Sequence, residues 1–146
     1  MKTSPMDILI KNLKEEHKSI FLVLEQVTEY GVNSTNGKQL LLSSEDFIID
    51  HLIRENQELY PKYVETCKKQ TPLFKESSEE FHKGLLESTL LITEFFKLLS
   101  SSTDKDDCRE AFQSFTEKLT KRIDWEENKA FKCCEHLMEE SLLAPQ

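Results

Sequence analysis

Glycine and proline are scarce in this chain, which has three glycines and four prolines in 146 residues. So few turn-forming residues exclude a typical all-β protein, because such a fold needs a turn after every short strand. Long uninterrupted segments with 38% hydrophobic and 32% charged residues favour helices instead. A chain of this length can bury a real core, and we expect residues 1–146 to form a single domain.

Four further features are absent from the sequence: a long apolar run, a signal peptide, an excess of basic residues and a CxxC pair. No apolar run approaches about 20 residues, so no transmembrane helix is expected, and the first residues lack the apolar region and cleavage site of a signal peptide. The formal net charge of −8 argues against a nucleic-acid surface. None of the four cysteines lies in a CxxC pair, which disfavours a structural zinc site and fits a reduced, cytoplasmic protein.

Apolar residues recur at three- and four-residue steps in four long segments, which predicts four amphipathic helices. Ser4-Pro5 and Thr71-Pro72 each place an N-cap residue before a proline at the first helical position. The predicted helices cover Pro5 to about Tyr30, Ser43 or Ser44 to about Lys69, about 72 to 99, and about 108 to 137. Residues 31–44 are predicted to be a turn-rich connection, and Pro61 to kink the second helix. The pattern predicts an all-α, up-down-up-down four-helix bundle.

Polar side chains interrupt the apolar face of every predicted helix. They form what we call the polar layer: His17, His51, Glu55, His82, Arg122 and Glu126. At about 1.5 Å per residue, counting from the connecting turns puts all of them at similar heights in the bundle. Buried charges are costly unless they are paired or bound to metal, and imidazole with carboxylate suits iron, manganese or zinc. The polar layer therefore predicts a metal site, in which Glu55 and Glu126 can bridge two ions.

Arg122 stands where a histidine would complete this pattern, and a guanidinium cannot ligate a metal. Its fixed charge would weaken metal binding nearby, or it would pair with Glu126 or Glu55 and take the place of a cation. Glu58 lies seven residues after His51 and is a candidate substitute oxygen ligand. Two ions, one ion, or a metal-free layer held together by ion pairs all remain open at this stage.

These positions resemble the hemerythrin-like, or HHE cation-binding, family. The resemblance rests on His17, HLIRENQELYP (51–61), His82 and RIDWEENKAF (122–131). It implies a four-helix bundle around a non-haem iron centre, with His17, His51 and His82 as terminal ligands and Glu55 and Glu126 as bridging ligands. It also implies that His17 and His51 serve one ion, while His82 and the position of Arg122 serve the other.

The resemblance leaves three functions open. The first is a cytoplasmic protein that binds or senses oxygen, nitric oxide or peroxide at one or two iron ions, with Arg122 stabilising an anionic bound species. The second is an iron-dependent stress enzyme or iron–sulfur repair factor, so whether the chain is an enzyme stays open. The third is a bundle without metal that acts through a partner protein. A ferritin-like di-iron enzyme is disfavoured, because only one ExxH motif, Glu79 to His82, is present.

Two sets of residues receive simpler interpretations. Cys67, Cys133 and Cys134 are expected at one end of the bundle, where we favour packing over redox pairing. The runs of Glu and Lys are interpreted as solvated helix faces.

Overall fold

The computed structural model describes residues 4–68, 72–103 and 106–135, and the side chains of 4–65, 83–103 and 106–135. Six α-helices are present there: α1 (Pro5–Tyr30), α2 (Thr35–Ser43), α3 (Glu45–Arg54), α4 (Tyr60–Lys68), α5 (Pro72–Ser101) and α6 (Arg109–Trp125). Two π-helical segments, Glu55–Leu59 and Glu126–Ala130, follow α3 and α6. This part of the chain has no strand, and the predicted all-α helical fold is confirmed. None of its helices combines the length and apolar character that crossing a membrane would require.

Helix α1 begins and ends where the sequence predicts. The Ser4 hydroxyl accepts a hydrogen bond from the Asp7 N–H at 3.0 Å, and the Asp7 carboxylate accepts one from the Ser4 N–H at 3.4 Å. This reciprocal capping box satisfies two of the free N–H groups at the helix start. At the other end, Gly31 adopts a φ of 87° and its N–H bonds the Val27 carbonyl at 2.8 Å. The glycine is favoured there because other residues are strained at positive φ.

The connection after α1 differs from its prediction, because it contains helix α2. The Ser34 hydroxyl caps this helix by accepting from the Gly37 N–H at 2.9 Å. Gly37 is buried against the preceding turn, and a Cβ at this position would lie 2.0 Å from the Gly31 carbonyl oxygen. The glycines and asparagines that indicate a turn are thus partly used to pack a short helix closely against the chain before it.

The two π-helical segments begin at Glu55 and Glu126. The Tyr60 N–H bonds the Glu55 carbonyl, and the Phe131 N–H bonds the Glu126 carbonyl, each five residues back. We predicted a kink at Pro61, and a π-helical segment ends at Leu59, two residues before this proline. The second segment has no proline within it or in the two residues after it, so the π conformation does not depend on a proline. Such segments occur often at functional sites.

Two apolar clusters fill the bundle, one on each side of the polar layer. The first contains Ile20, Leu24, Val27, Leu41, Ile48, Leu52, Ile92, Phe96, Leu99, Phe115, Leu119 and Ile123 among others. The second contains Ile10, Leu13, Leu59, Tyr60, Tyr63, Leu85, Ala130, Phe131 and Cys134. Along α1, His17 falls between Leu13 of the second cluster and Ile20 of the first. The polar layer therefore lies between apolar walls.

The cysteine prediction can be followed only in part. The side chain of Cys67 lies outside the described residues, so its pairing stays a prediction. Cys134 is buried in the second apolar cluster. Burial raises the pKa of the Cys134 thiol to about 12, and the neighbouring Cys133 and Glu135 add to this. A thiol with so high a pKa is a poor nucleophile, which favours the packing role.

Candidate metal centre

Three stretches of helix bring four of the predicted ligands together: α1, α3 with the π-helical segment after it, and the π-helical segment after α6. His17 comes from α1, His51 from α3, and Glu55 and Glu126 are the first residues of the two π-helical segments. All four are at most 1% exposed. One ligand atom from each lies within 4.8 Å of all the others. We call these four residues the His/Glu cluster.

The distances within the His/Glu cluster match those between ligands of one ion. His17 Nε2 lies 3.1 Å from Glu126 Oε1 and 3.5 Å from Glu55 Oε2. His51 Nε2 lies 3.3 Å from the same oxygen of Glu55. Two donors each about 2.1 Å from an ion, at tetrahedral or octahedral angles, are about 3.0–3.4 Å apart. The three donor pairs therefore lie close to the separation that a shared ion requires, and all four donors lie within 4.8 Å of one another.

The same four atoms have no hydrogen-bond partner. Among the described residues, the buried side-chain atoms without one are His17 Nε2, His51 Nε2, Glu55 Oε2, Glu126 Oε1 and Thr116 Oγ1. A buried polar atom left unpaired costs about 1–3 kcal/mol. Four such atoms facing one point fit a bound cation, which would satisfy all of them. Two imidazoles and two carboxylates suit iron, manganese or zinc.

Carboxylates also hold the outer nitrogens of both histidines. His17 Nδ1 lies 2.9 Å from Glu127 Oε2, and His51 Nδ1 lies 2.7 Å from Glu16 Oε1. Arg54 Nη1 donates to the other oxygen of Glu16 at 2.5 Å. A carboxylate bonded to Nδ1 keeps the proton on that nitrogen and leaves the Nε2 lone pair for a metal. Each ring is thus held in the orientation that ligation through Nε2 needs.

The sequence interpretation missed Glu16 and Glu127, because both lie in charge runs that we interpreted as solvated. Their side chains are 18% and 38% exposed, so each reaches inward from the edge of the bundle. The available signal was position: Glu16 directly precedes His17, and Glu127 directly follows Glu126. A carboxylate next to a ligand on one helix can reach the ligand of the neighbouring helix.

Arg122 binds the other oxygens of the two cluster carboxylates. Its Nε donates to Glu126 Oε2 and its Nη2 donates to Glu55 Oε1, both at 3.3 Å. The Tyr60 hydroxyl also donates to Glu126 Oε2, and the Tyr60 ring centroid lies 5.6 Å from Arg122 Cζ. The ion pairs that the sequence left as one alternative are therefore present.

Uncharged groups accept the remaining N–H groups of the guanidinium. Nη1 donates to Thr89 Oγ1 at 2.8 Å, to Ser88 Oγ at 3.1 Å and to the Leu85 carbonyl at 3.4 Å. Nη2 also donates to Asn56 Oδ1 at 3.2 Å. Every nitrogen of the guanidinium has at least one acceptor, so this buried charge is fully hydrogen-bonded.

A comparison with known families agrees with this geometry. The family model described as hemerythrin HHE cation binding domain matches residues 8–134. The chain belongs to the hemerythrin HHE family. The resemblance inferred from the histidine and glutamate motifs is thereby confirmed, and the match spans the whole His/Glu cluster. No curated protein and no solved structure matches the chain.

Two predicted ligands of this HHE protein are not in the described cluster. The backbone of His82 lies in α5, but its side chain is outside the described residues, so its role stays a prediction. Glu58 is exposed and does not belong to the His/Glu cluster, which corrects its prediction as a substitute ligand. The physical reason is the π-helical segment, whose wider turn rotates Glu58 away from the face that carries His51 and Glu55.

The charges of the His/Glu cluster shift the pKa values of its members. Burial lowers the pKa of His17, but the carboxylates of Glu126 and Glu55 outweigh it and raise the value to about 10. Burial and the charge of Glu55 raise the pKa of Glu126 to about 7. Burial also opposes ionisation of Glu55, but His17 and His51 hold its pKa well below the usual range. Protons therefore compete with a metal ion for this cluster.

Proposed function

We propose that this HHE protein binds iron at His17, His51, Glu55 and Glu126 and that the iron binds a small oxidant: oxygen, nitric oxide or peroxide. The observation that carries the proposal is the set of four buried donor atoms that face one point without hydrogen-bond partners. Iron is proposed because imidazole and carboxylate together suit it and because the family resemblance implies it. Four protein donors leave coordination positions open for a small ligand.

The surrounding residues support this role. The two carboxylates offset the charge of a bound cation, and Glu16 and Glu127 hold the histidines for ligation through Nε2. The apolar clusters on both sides limit the access of water, which strengthens the electrostatic attraction between the ion and its ligands. A reduced, cytoplasmic location is part of the same proposal.

The experiment is an absorption titration of protein loaded anaerobically with ferrous iron. Addition of nitric oxide, oxygen or peroxide is expected to produce a new visible or near-ultraviolet band in the wild type. The His51→Ala variant is the control, because it keeps both carboxylates and Arg122 but loses one imidazole ligand. No band in the wild type would overturn the proposal, and so would equal bands in both proteins, since the iron would then lie elsewhere.

A metal-free bundle that acts through a partner protein is the second candidate. The ion pairs of Arg122 with Glu55 and Glu126 favour it, because they supply one cation to the layer without any metal. They engage only one oxygen of each carboxylate, however, and leave both histidine Nε2 atoms without a hydrogen bond. Metal content distinguishes the two: protein that takes up no iron on anaerobic addition would support the second candidate.

A further inference from the structure

We infer that the Arg122 guanidinium takes the place of the second metal ion in this centre, so that the chain holds one ion where the family pattern provides for two. The inference rests on the proposed function for the first ion. It concerns the other half of the polar layer, and it predicts that the centre binds a single ion.

The first step is the division of the carboxylate oxygens. Glu55 Oε2 and Glu126 Oε1 face the two histidines, whereas Glu55 Oε1 and Glu126 Oε2 accept hydrogen bonds from Arg122. A carboxylate that bridges two cations gives one oxygen to each. Both glutamates show this division, with the guanidinium on the side away from the histidines.

The second step is that hydrogen-bond acceptors surround the guanidinium. Asn56, Ser88, Thr89 and the Leu85 carbonyl accept its remaining N–H groups. These groups come from the π-helical segment after α3 and from α5, so two helical units enclose the charge. Every guanidinium nitrogen therefore has an acceptor, which satisfies this buried charge without a second ion.

The third step is electrostatic. A guanidinium keeps its charge at any pH that the folded protein tolerates and has no lone pair to offer a metal. A second cation at the carboxylate oxygens that Arg122 occupies would meet this fixed charge in a poorly screened interior. Raising the metal concentration or the pH therefore does not free the position, because Arg122 is covalently part of the chain.

The experiment compares metal content per chain in the wild type, Arg122→His and Arg122→Gln after anaerobic iron addition and removal of excess. The wild type is expected to hold about one iron ion. Arg122→His removes the fixed charge and supplies an imidazole beside the carboxylates, and it is expected to raise the content about twofold. Arg122→Gln removes the charge without supplying a ligand nitrogen and is the matched control, expected to stay at about one.

Each possible metal content supports or overturns either the inference or the proposed function. About two ions in the wild type would overturn the inference and leave the proposed function intact. A content of about one in folded Arg122→His would also overturn it, because something other than Arg122 would then exclude the second ion. No iron in the wild type would overturn the proposed function itself.

A second measurement covers the case in which Arg122→His does not fold. Electron paramagnetic resonance of the ferric wild-type protein separates the two states, because an isolated high-spin ferric ion gives a signal and a coupled ferric pair does not. We expect a signal that accounts for all the bound iron. Bound ferric iron without a signal would overturn the inference.

Discussion

The carboxylates of Glu16 and Glu127 act on the histidines rather than on the ion. Each accepts the Nδ1 proton of one ring and thereby orients the Nε2 lone pair. Outer partners of this kind typically change metal affinity by about 10- to 100-fold when removed. Glu16→Ala is therefore expected to weaken iron binding by about that factor, measured by competition with a coloured chelator.

Glu15→Ala is the control for this prediction. Glu15 lies one residue earlier on α1, is exposed, and carries the same charge. The two variants lose equal charge from the same helix and differ in the contacts that Glu16 makes with His51 and Arg54. Equal affinities in Glu15→Ala and Glu16→Ala would show that the carboxylate of Glu16 does not position His51.

The pKa of His17 predicts a pH dependence of stability in the metal-free protein. The value is raised from 6.5 to about 10, so the folded state binds a proton that the unfolded state releases earlier. The stability from this proton is fully present below pH 6.5 and is lost as the pH rises through about 10. Urea unfolding of chelator-treated protein is expected to show this loss, and His17→Gln is expected to show less of it. Indistinguishable pH profiles for the two proteins would contradict the assignment.

The sequence predicts the four residues of the His/Glu cluster better than it predicts the carboxylates that orient the two histidines. His17, His51, Glu55 and Glu126 interrupt apolar helical faces, which makes them visible as buried polar residues. Glu16 and Glu127 contact the cluster from the edge of the bundle, and nothing in a charge run distinguishes an inward carboxylate from a solvated one.

At the scale of elements, two glycines offer a matched test of helix packing. A Cβ on Gly37 would meet the Gly31 carbonyl oxygen, whereas a Cβ on Gly84 in α5 meets nothing within 4 Å. Gly37→Ala is expected to destabilise the fold by about 1–3 kcal/mol through overpacking. Gly84→Ala is expected to stabilise it by about 0.5–1 kcal/mol, because alanine restricts the unfolded chain and suits a helix interior.

Urea unfolding of both variants at a fixed metal load measures these effects. Opposite signs are the expected result. A Gly37→Ala variant as stable as the wild type would show that Gly37 is not in the close contact with Gly31 that fixes the position of α2.

Helix boundaries with capping signals are predictable from this sequence, and two other features are not. The Ser4-Pro5 signal and Gly31 give the bounds of α1. The sequence does not reveal helix α2, because its glycine and asparagine content indicates a turn. In the structure, Ser34 caps this helix and Gly37 lets it approach the preceding chain. The π-helical segment after α3 changes the periodicity on which the position of Glu58 was predicted, and hydrophobic spacing alone does not reveal such a segment.

At the scale of the whole molecule, a bound ion would join α1, α3 and the segment after α6 between two apolar clusters. A ligand that binds only the folded state stabilises it by about 4 kcal/mol at 1,000 times its dissociation constant. Chelation of the metal is therefore expected to lower the melting temperature of the wild type by several degrees. His51→Ala is the control and is expected to respond much less. A wild type that melts identically with and without metal would favour the metal-free candidate.

X-ray absorption spectroscopy at the iron edge tests the central claim most directly, because it reports the neighbours of the ion itself. The account predicts nitrogen and oxygen neighbours at about 2.0–2.2 Å, outer scattering from two imidazoles, and no second iron within about 4 Å. A second iron at that distance would contradict the role of Arg122. Iron without imidazole neighbours would contradict the assignment of His17 and His51 as its ligands.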